Sequence, residues 1–171
     1  MTRKKPLGSG FWFMAMGWVL ILSLPGVYLL QRFTLGIDAQ DIRCLPDDSR
    51  AYWIDHWAHQ PQRGDRIAFR SDQRMLPFFN VNTLMVKQVA GLPGDLVVLE
   101  NQQLKVNHIT AAEGLLKGVL SQLQSDDWTS PRRLKIGEWV VVGRHPLSFD
   151  SRYWGVVDEA HLVGIAHAFP Y

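Results

Sequence analysis

The sequence predicts a mainly β fold: a folded-over sheet or partial barrel with one short helical insertion, preceded by a single N-terminal transmembrane helix. Three observations carry this. After residue 31 the chain is rich in short alternating or wholly apolar runs punctuated by Gly, Pro, Asn and Asp, the pattern of strands and turns. One stretch departs from it, with apolar residues at helical spacing. Ahead of both lies an uncharged apolar segment of roughly the ~20 residues a helix needs to cross a bilayer.

That segment is Phe11 to Leu30, "FWFMAMGWVLILSLPGVYLL". Trp12 and Tyr28 lie near its ends, where amphipathic aromatics favour the membrane interface. Arg3, Lys4 and Lys5 precede it, and no acidic residue occurs before Asp38. The positive-inside rule then makes residues 1–10 a cytoplasmic N-terminus, residues 11–30 an inner-membrane anchor and residues 31–171 a periplasmic domain. A cleaved secretion signal also has a basic start and an apolar run. The run here exceeds the ~7 to 15 residues of such a signal, and no well-placed small-x-small site follows it, so an uncleaved anchor is expected. Pro25 is no obstacle, because neighbouring groups satisfy a freed carbonyl in membrane helices.

In the outer domain the expected strands are "AYWIDHW", "DRIAFR", "LMVKQVA", "DLVVLE", "QLKVN", "EWVVVG" and "HLVGIAH". "LENQQLKV" reads as a hairpin with its turn at Asn101 to Gln103. In "AAEGLLKGVLSQLQ", Leu115, Leu116, Val119, Leu120 and Leu123 predict a short amphipathic helix. "SDDWTSPRR" after it reads as loop. There are no internal repeats and no low-complexity tract.

The chain's 171 residues include 18 basic and 16 acidic ones, and beyond the first few residues nothing resembles a nucleic-acid footprint. Cys44 is the single cysteine. It has no partner for an internal disulfide, so it is a buried small apolar residue, a link to another chain or a reactive thiol.

Lys87 stands within "LMVKQVAGLPGD", where Leu84, Met85, Val86, Val89 and Ala90 are apolar on both strand faces. Such a lysine is expected to be at least partly buried. Burial disfavours an ammonium and so favours a neutral amine that can act as general base. The alternative is an ordinary strand lysine whose amine reaches solvent or a carboxylate.

Four stretches then follow in order: "CLPDDSRAYWI", "RGDRIAF", "KQVAGLPGD" and "GEWVVVGRHPLSFDSRYWGVVDEAHLVGIA". Together they resemble the type I signal peptidases, and more closely their TraF-type relatives, which process pilin subunits in conjugative DNA transfer. "SFDSRYWG", Ser148 to Gly155, followed by "LVGIA", is the strongest single match. The resemblance covers most of the outer domain and is consistent with the anchor before it.

The resemblance implies a serine and lysine dyad that works through an acyl-enzyme, with Lys87 as the base. It also implies that Ser148 orients the lysine and that Asp150 pairs with Arg152 to hold their loop. Without the match, "FDSR" would read as a turn with a surface ion pair. The sequence departs from the family at the nucleophile. Cys44 in "CLP" occupies the serine position, Ser49 in "DDSR" is the fallback, and Ile42 stands where many relatives carry a second hydroxyl for the oxyanion. Backbone N–H groups near Cys44 would then do most of that work.

A thiol is a competent nucleophile. Its thioester is attacked by amines more readily, relative to water, than an oxygen ester. The implied substrate is a pilin or other secreted precursor with small residues before the cut, trimmed or cyclised. Inner-membrane lipids and other conjugation or type IV secretion components are the implied partners, with no nucleic acid and no cofactor. Two rivals stand beside this reading: a pseudo-peptidase that serves as an assembly factor, and a housekeeping signal peptidase, against which the short "GRHPLSFD" loop speaks.

Smaller signals point elsewhere. His56 and His59 have a spacing that shares a metal on a helix, but the segment reads as strand and lacks a third ligand, so no metal site is expected. His145 in "GRHPLS" reads as a structural or solvated loop residue. "MLPFFNV", Met75 to Val81, is either core packing or a dip into the membrane surface.

Overall fold

The computed structural model of the chain describes residues 8–38, 44–45, 49–120, 122, 128 and 130–169. The first element, α1 (Ser9–Arg32), has no buried residue. It is long and apolar enough to cross a membrane, and Pro25 sits inside it. Without a linker it passes into β1 (Phe33–Ile37). The Arg32 guanidinium donates to both oxygens of Asp55, at 2.6 Å in the shortest bond, and to the Tyr28 hydroxyl. Trp57 packs edge-on against Tyr28.

The strands that follow are β2 (Ala51–Asp55), β3 (Arg66–Arg70), β4 (Leu84–Gly91), β5 (Leu96–Glu100), β6 (Gln103–Val106) and β7 (Ile109–Glu113). Then come a one-turn helix α2 (Lys117–Leu120), β8 (Arg132–Arg133), β9 (Glu138–Val142), a one-turn helix α3 (Ser151–Trp154), β10 (Val157–Asp158) and β11 (Leu162–Ala168). Seven strands form one sheet in the order β1-β2-β11-β3-β4-β9-β10, and four form a second in the order β7-β6-β5-β8. Every pairing is antiparallel. The large sheet is curled: Gly36 and Ile37 of β1 line the same cleft as Leu84 to Lys87 of β4, although three strands lie between them in the sheet.

The wholly apolar run of β9 is explained by burial on both faces. Trp139 and Val141 join Ile67, Phe69, Met85, Val89 and Trp154 in one core, while Val140 and Val142 pack with Val97, Leu104, Val106 and Ala112 of the small sheet in a second. A third core gathers Leu45, Tyr52, Ile54, Ala68 and Ala166.

The mainly β architecture matches the expectation, and all seven expected strands are present. The hairpin turn is tighter than expected. Asn101 and Gln102 take φ of 50° and 63°, the left-handed pair of a two-residue turn, and Gln103 already belongs to β6. The expected helix is present, but it starts later than expected. Ala111 to Glu113 belong to β7, because Ala112 pairs with Leu104 and fills the core between the sheets. Gly114, at φ +83°, ends that strand, and among the described residues of the segment Lys117–Leu120 are helical, while Leu123 lies outside the described residues. The expected loop "SDDWTSPRR" contains β8, which pairs with β5. Strand β1 had no turn signal separating it from the anchor.

Candidate active site

Lys87 sits at the centre of β4. Alternation along this strand buries Met85, Lys87, Val89 and Gly91 on one side. Position 87 therefore falls on the face that packs against Trp154 and Tyr153, and the lysine is 5% exposed. Its Nζ donates to Ser148 Oγ at 3.1 Å. Strand β3 pairs with β4 from Leu84 to Gln88, but β9 pairs with it only from Gln88 onward. Among the described residues, Leu84 to Lys87 have no strand partner on that side.

Cys44 is buried, at 6% exposed. It lines the same cleft as Lys87, together with Gly36 to Asp38, Tyr52 and Thr83 to Val86, around a volume of about 190 Å³. Its carbonyl accepts from the Arg144 N–H at 2.6 Å. Gly143 makes this convergence possible. A Cβ there would lie 2.0 Å from Ser148 Oγ and 3.1 Å from Cys44 Cβ, so only glycine lets the end of β9 pass between the two.

The loop bearing Ser148 is tied at both ends. Asp150 caps α3, accepting from the Arg152 N–H at 3.2 Å, and its other oxygen accepts from the Gly143 N–H at 2.8 Å. Arg152 Nε donates back to Asp150 at 2.8 Å, with both side chains buried. The guanidinium also donates to the carbonyls of Ser148, Pro146 and Gly114, at 3.0, 3.2 and 2.9 Å, and to that of Glu113. Burial works against this cation, and the Asp150 carboxylate more than offsets it, so the guanidinium is held above its ordinary pKa. A buried ion pair saturated in this way positions groups more than it adds stability.

The "RGD" and "GLPGD" motifs contact each other. Arg63 donates to Asp95 at 2.6 Å, and the Leu92 N–H donates to the same carboxylate at 2.6 Å. Burial alone would raise the pKa of Asp95. The bonds from Leu92, Arg63 and Asn107 outweigh it and hold the carboxylate below its usual range. Gly64, at φ +93°, makes the turn that brings Arg63 there.

The other candidates stand apart. Ser49 is buried, its carbonyl accepts from the Tyr52 hydroxyl at 2.8 Å, and it is absent from the lining of the Cys44 cleft. Ile42 lies outside the described residues. His145 is partly buried, and its Nδ1 accepts from the Leu147 N–H at 3.1 Å, which stabilises the turn before Ser148. His56 Nε2 lies 2.7 Å from Thr34 Oγ1, in the turn beyond β2, and His59 is exposed. Among the described residues the grouping with metal-ligand spacing is Asp72, Asp158 and His161. The Arg74 guanidinium already bridges its two carboxylates, at 2.6 and 3.0 Å. In the "MLPFFNV" run Met75 is buried while Leu76, Phe78 and Val81 are exposed, and Phe78 and Phe79 both pack on Phe149.

Sequence reading missed Gly143 and the cleft wall at Gly36 to Asp38. A glycine ending an apolar strand was a signal for the first. Nothing local marked the second.

The structure is a mainly β domain of two sheets in which a buried lysine and a cysteine line one cleft. The signal peptidase family, peptidase S26, matches residues 15–171, and the chain belongs to that family. It is 33% identical over 92 residues to signal peptidase I V of Bacillus subtilis strain 168, covering 48% of this chain and 55% of that one. It is 26% identical over 115 residues to signal peptidase I of Leptolyngbya laminosa, covering 66% and 54%. With signal peptidase IB of Staphylococcus aureus it shares 27% over 161 residues, covering 85% and 80%. The matches thus span about half the length of the first two relatives. A crystal structure of a signal peptidase I from Enterococcus faecalis V583 is similar at 27% identity and a TM-score of 0.42, over 62% of this chain and 96% of that one.

Proposed function

We propose that the chain is a membrane-anchored peptidase that cleaves a secreted precursor through Cys44 and Lys87. The observation that carries this reading is Lys87 itself: a buried lysine whose Nζ meets a buried serine hydroxyl on the cleft that also holds Cys44. In the reaction the Cys44 thiol gives its proton to the neutral Lys87 amine as sulfur bonds to the scissile carbonyl carbon. The resulting lysine ammonium protonates the departing amine as the C–N bond breaks, leaving a thioester on Cys44. Water or an amine then attacks the thioester and passes a proton to Lys87; as the C–S bond breaks, Lys87 returns that proton to sulfur, which restores the thiol and the neutral amine. Ser148 fixes the direction of the Lys87 amine, and Asp150 with Arg152 holds Ser148. The substrate lies extended beside Leu84 to Lys87, whose outer side has no strand partner among the described residues, as in other cases of strand addition.

The substrate class is a conjugative pilin precursor, and the product a trimmed or circular pilin, as in the TraF-type enzymes. Its support is the motif resemblance together with the preference of thioesters for amines over water. The test is intact-mass analysis of the cognate pilin precursor co-expressed with the wild type, Cys44→Ala or Lys87→Ala. Processing by the wild type alone is expected, with a product one water lighter than the cut linear chain if it is cyclised. Identical pilin in all three would favour an assembly factor without catalysis. Loss of processing in Lys87→Ala alone would move the nucleophile to Ser49.

A further inference from the structure

A second groove next to the cleft beside Leu84 to Lys87 is lined in part by Gly143, which lies against Cys44 and Ser148. Its floor is Gln88 and Val142, one wall is Arg144 to Pro146, and the opposite wall is Thr110 to Glu113. It continues into a further depression that shares Gln88, Ala111 and Val142 and extends to Arg63 and Ile109. Cys44 touches the start of this groove, since its carbonyl accepts from the Arg144 N–H at 2.6 Å.

The Thr110 wall is a sheet edge. β7 is the outermost strand of the four-stranded sheet, and among the described residues no strand pairs with its outer side. An edge of this kind is a template for an added strand. It is also built to stay in place. Arg152 holds the carbonyls of Glu113 and Gly114 on one side and those of Pro146 and Ser148 on the other. One guanidinium therefore fixes both walls relative to Ser148, and hence to Lys87.

We propose that this groove receives the polypeptide that follows the scissile bond, as an extended segment paired with the free edge of β7. This rests on the peptidase reading above. A chain whose first half lies beside Leu84 to Lys87, and whose scissile carbonyl meets Cys44, leaves past Gly143 and Arg144 directly into the groove.

The test uses the full-length chain in detergent micelles with two substrates sharing the same residues before the scissile bond. One is an ester of a small alcohol with nothing after that bond. The other is a peptide amide continuing for about eight residues, ~26 Å when extended. Thr110→Trp places bulk on the exposed edge. It should lower the ratio of kcat/KM for the peptide to that for the ester about tenfold, the worth of one or two main-chain hydrogen bonds. An unchanged ratio would overturn the groove assignment. A second readout needs no turnover: hydrogen exchange of the Thr110 to Ala112 amides in the Lys87→Ala chain should slow severalfold when the long peptide is added, and no slowing would overturn it too. If the wild type leaves the ester untouched, the peptidase reading is what fails, and the exchange measurement still decides the groove.

Discussion

Lys87 on β4 and Ser148 in the loop after β9 are 61 residues apart in sequence and meet at 3.1 Å, both side chains buried. On the proposed reading the hydroxyl aims the amine rather than reacting. Ser148→Ala should lower kcat about 10- to 100-fold, the scale of a misdirected catalytic group, with KM nearly unchanged. Steady-state kinetics on a precursor peptide checks this, and a change confined to KM would count against it.

Cys44→Ala should abolish turnover. Cys44→Ser should keep some, but with the acidic limb of its pH–rate profile at higher pH than in the wild type, because a thiol gives up its proton far more easily than a hydroxyl. Superimposable limbs in the two proteins would contradict a thiol nucleophile.

Gly143→Ala should cripple the site in a folded protein. The added methyl would sit 2.0 Å from Ser148 Oγ, so the serine must move away from Lys87. Overpacking of this kind costs about 1 to 3 kcal/mol. Thermal denaturation should show that modest loss, and activity should fall much further than stability.

Arg152→Met should be costly for the fold itself. It leaves the Asp150 carboxylate buried without its cation and frees the carbonyls that the guanidinium holds. Breaking a buried pair in this way typically costs about 3 to 5 kcal/mol. Denaturant unfolding of the wild type and variant in the same detergent gives the difference.

Acid should loosen the junction between helix and sheet. The hydrogen bonds from Arg32 hold the Asp55 carboxylate below its usual range. A carboxylate depressed by folding contributes stability at pH above its unfolded value, about 4, which is lost as pH falls through the lower folded value. Unfolding free energy should therefore fall with pH below about 4, and Asp55→Asn should flatten that fall while lowering stability at neutral pH. Equal acid slopes in the two proteins would remove Asp55 from the account.

The sequence showed this site unevenly, for physical reasons. Lys87 was legible because a charged residue inside a strand apolar on both faces has few places to go. β9 was legible for the same reason, since burial on both faces removes every polar residue from its middle. The "AAEGLLKGVL" segment misled, because alanines and leucines at helical spacing leave open whether Ala112 fits a helix or the gap opposite Leu104, and only the partner strand decides. The convergence of Cys44, Gly143 and Ser148 depends on contacts between distant segments, which no local pattern encodes. Cys44 and Ser148 could be located only by their resemblance to a family.

The direct passage from α1 into β1 has a geometric consequence. Because no flexible linker intervenes and Arg32 is clamped to Asp55, β1 acts as a spacer of fixed length between the end of the helix and the cleft wall at Gly36 to Asp38. At about 3.3 Å per residue, the four or five residues of β1 set a stand-off of roughly 13 to 17 Å. If α1 anchors the chain in a bilayer, the proposed peptidase would cut bonds presented near that height above the lipid surface. Lengthening β1 by two residues would keep its faces in register and raise the cutting height by about 7 Å.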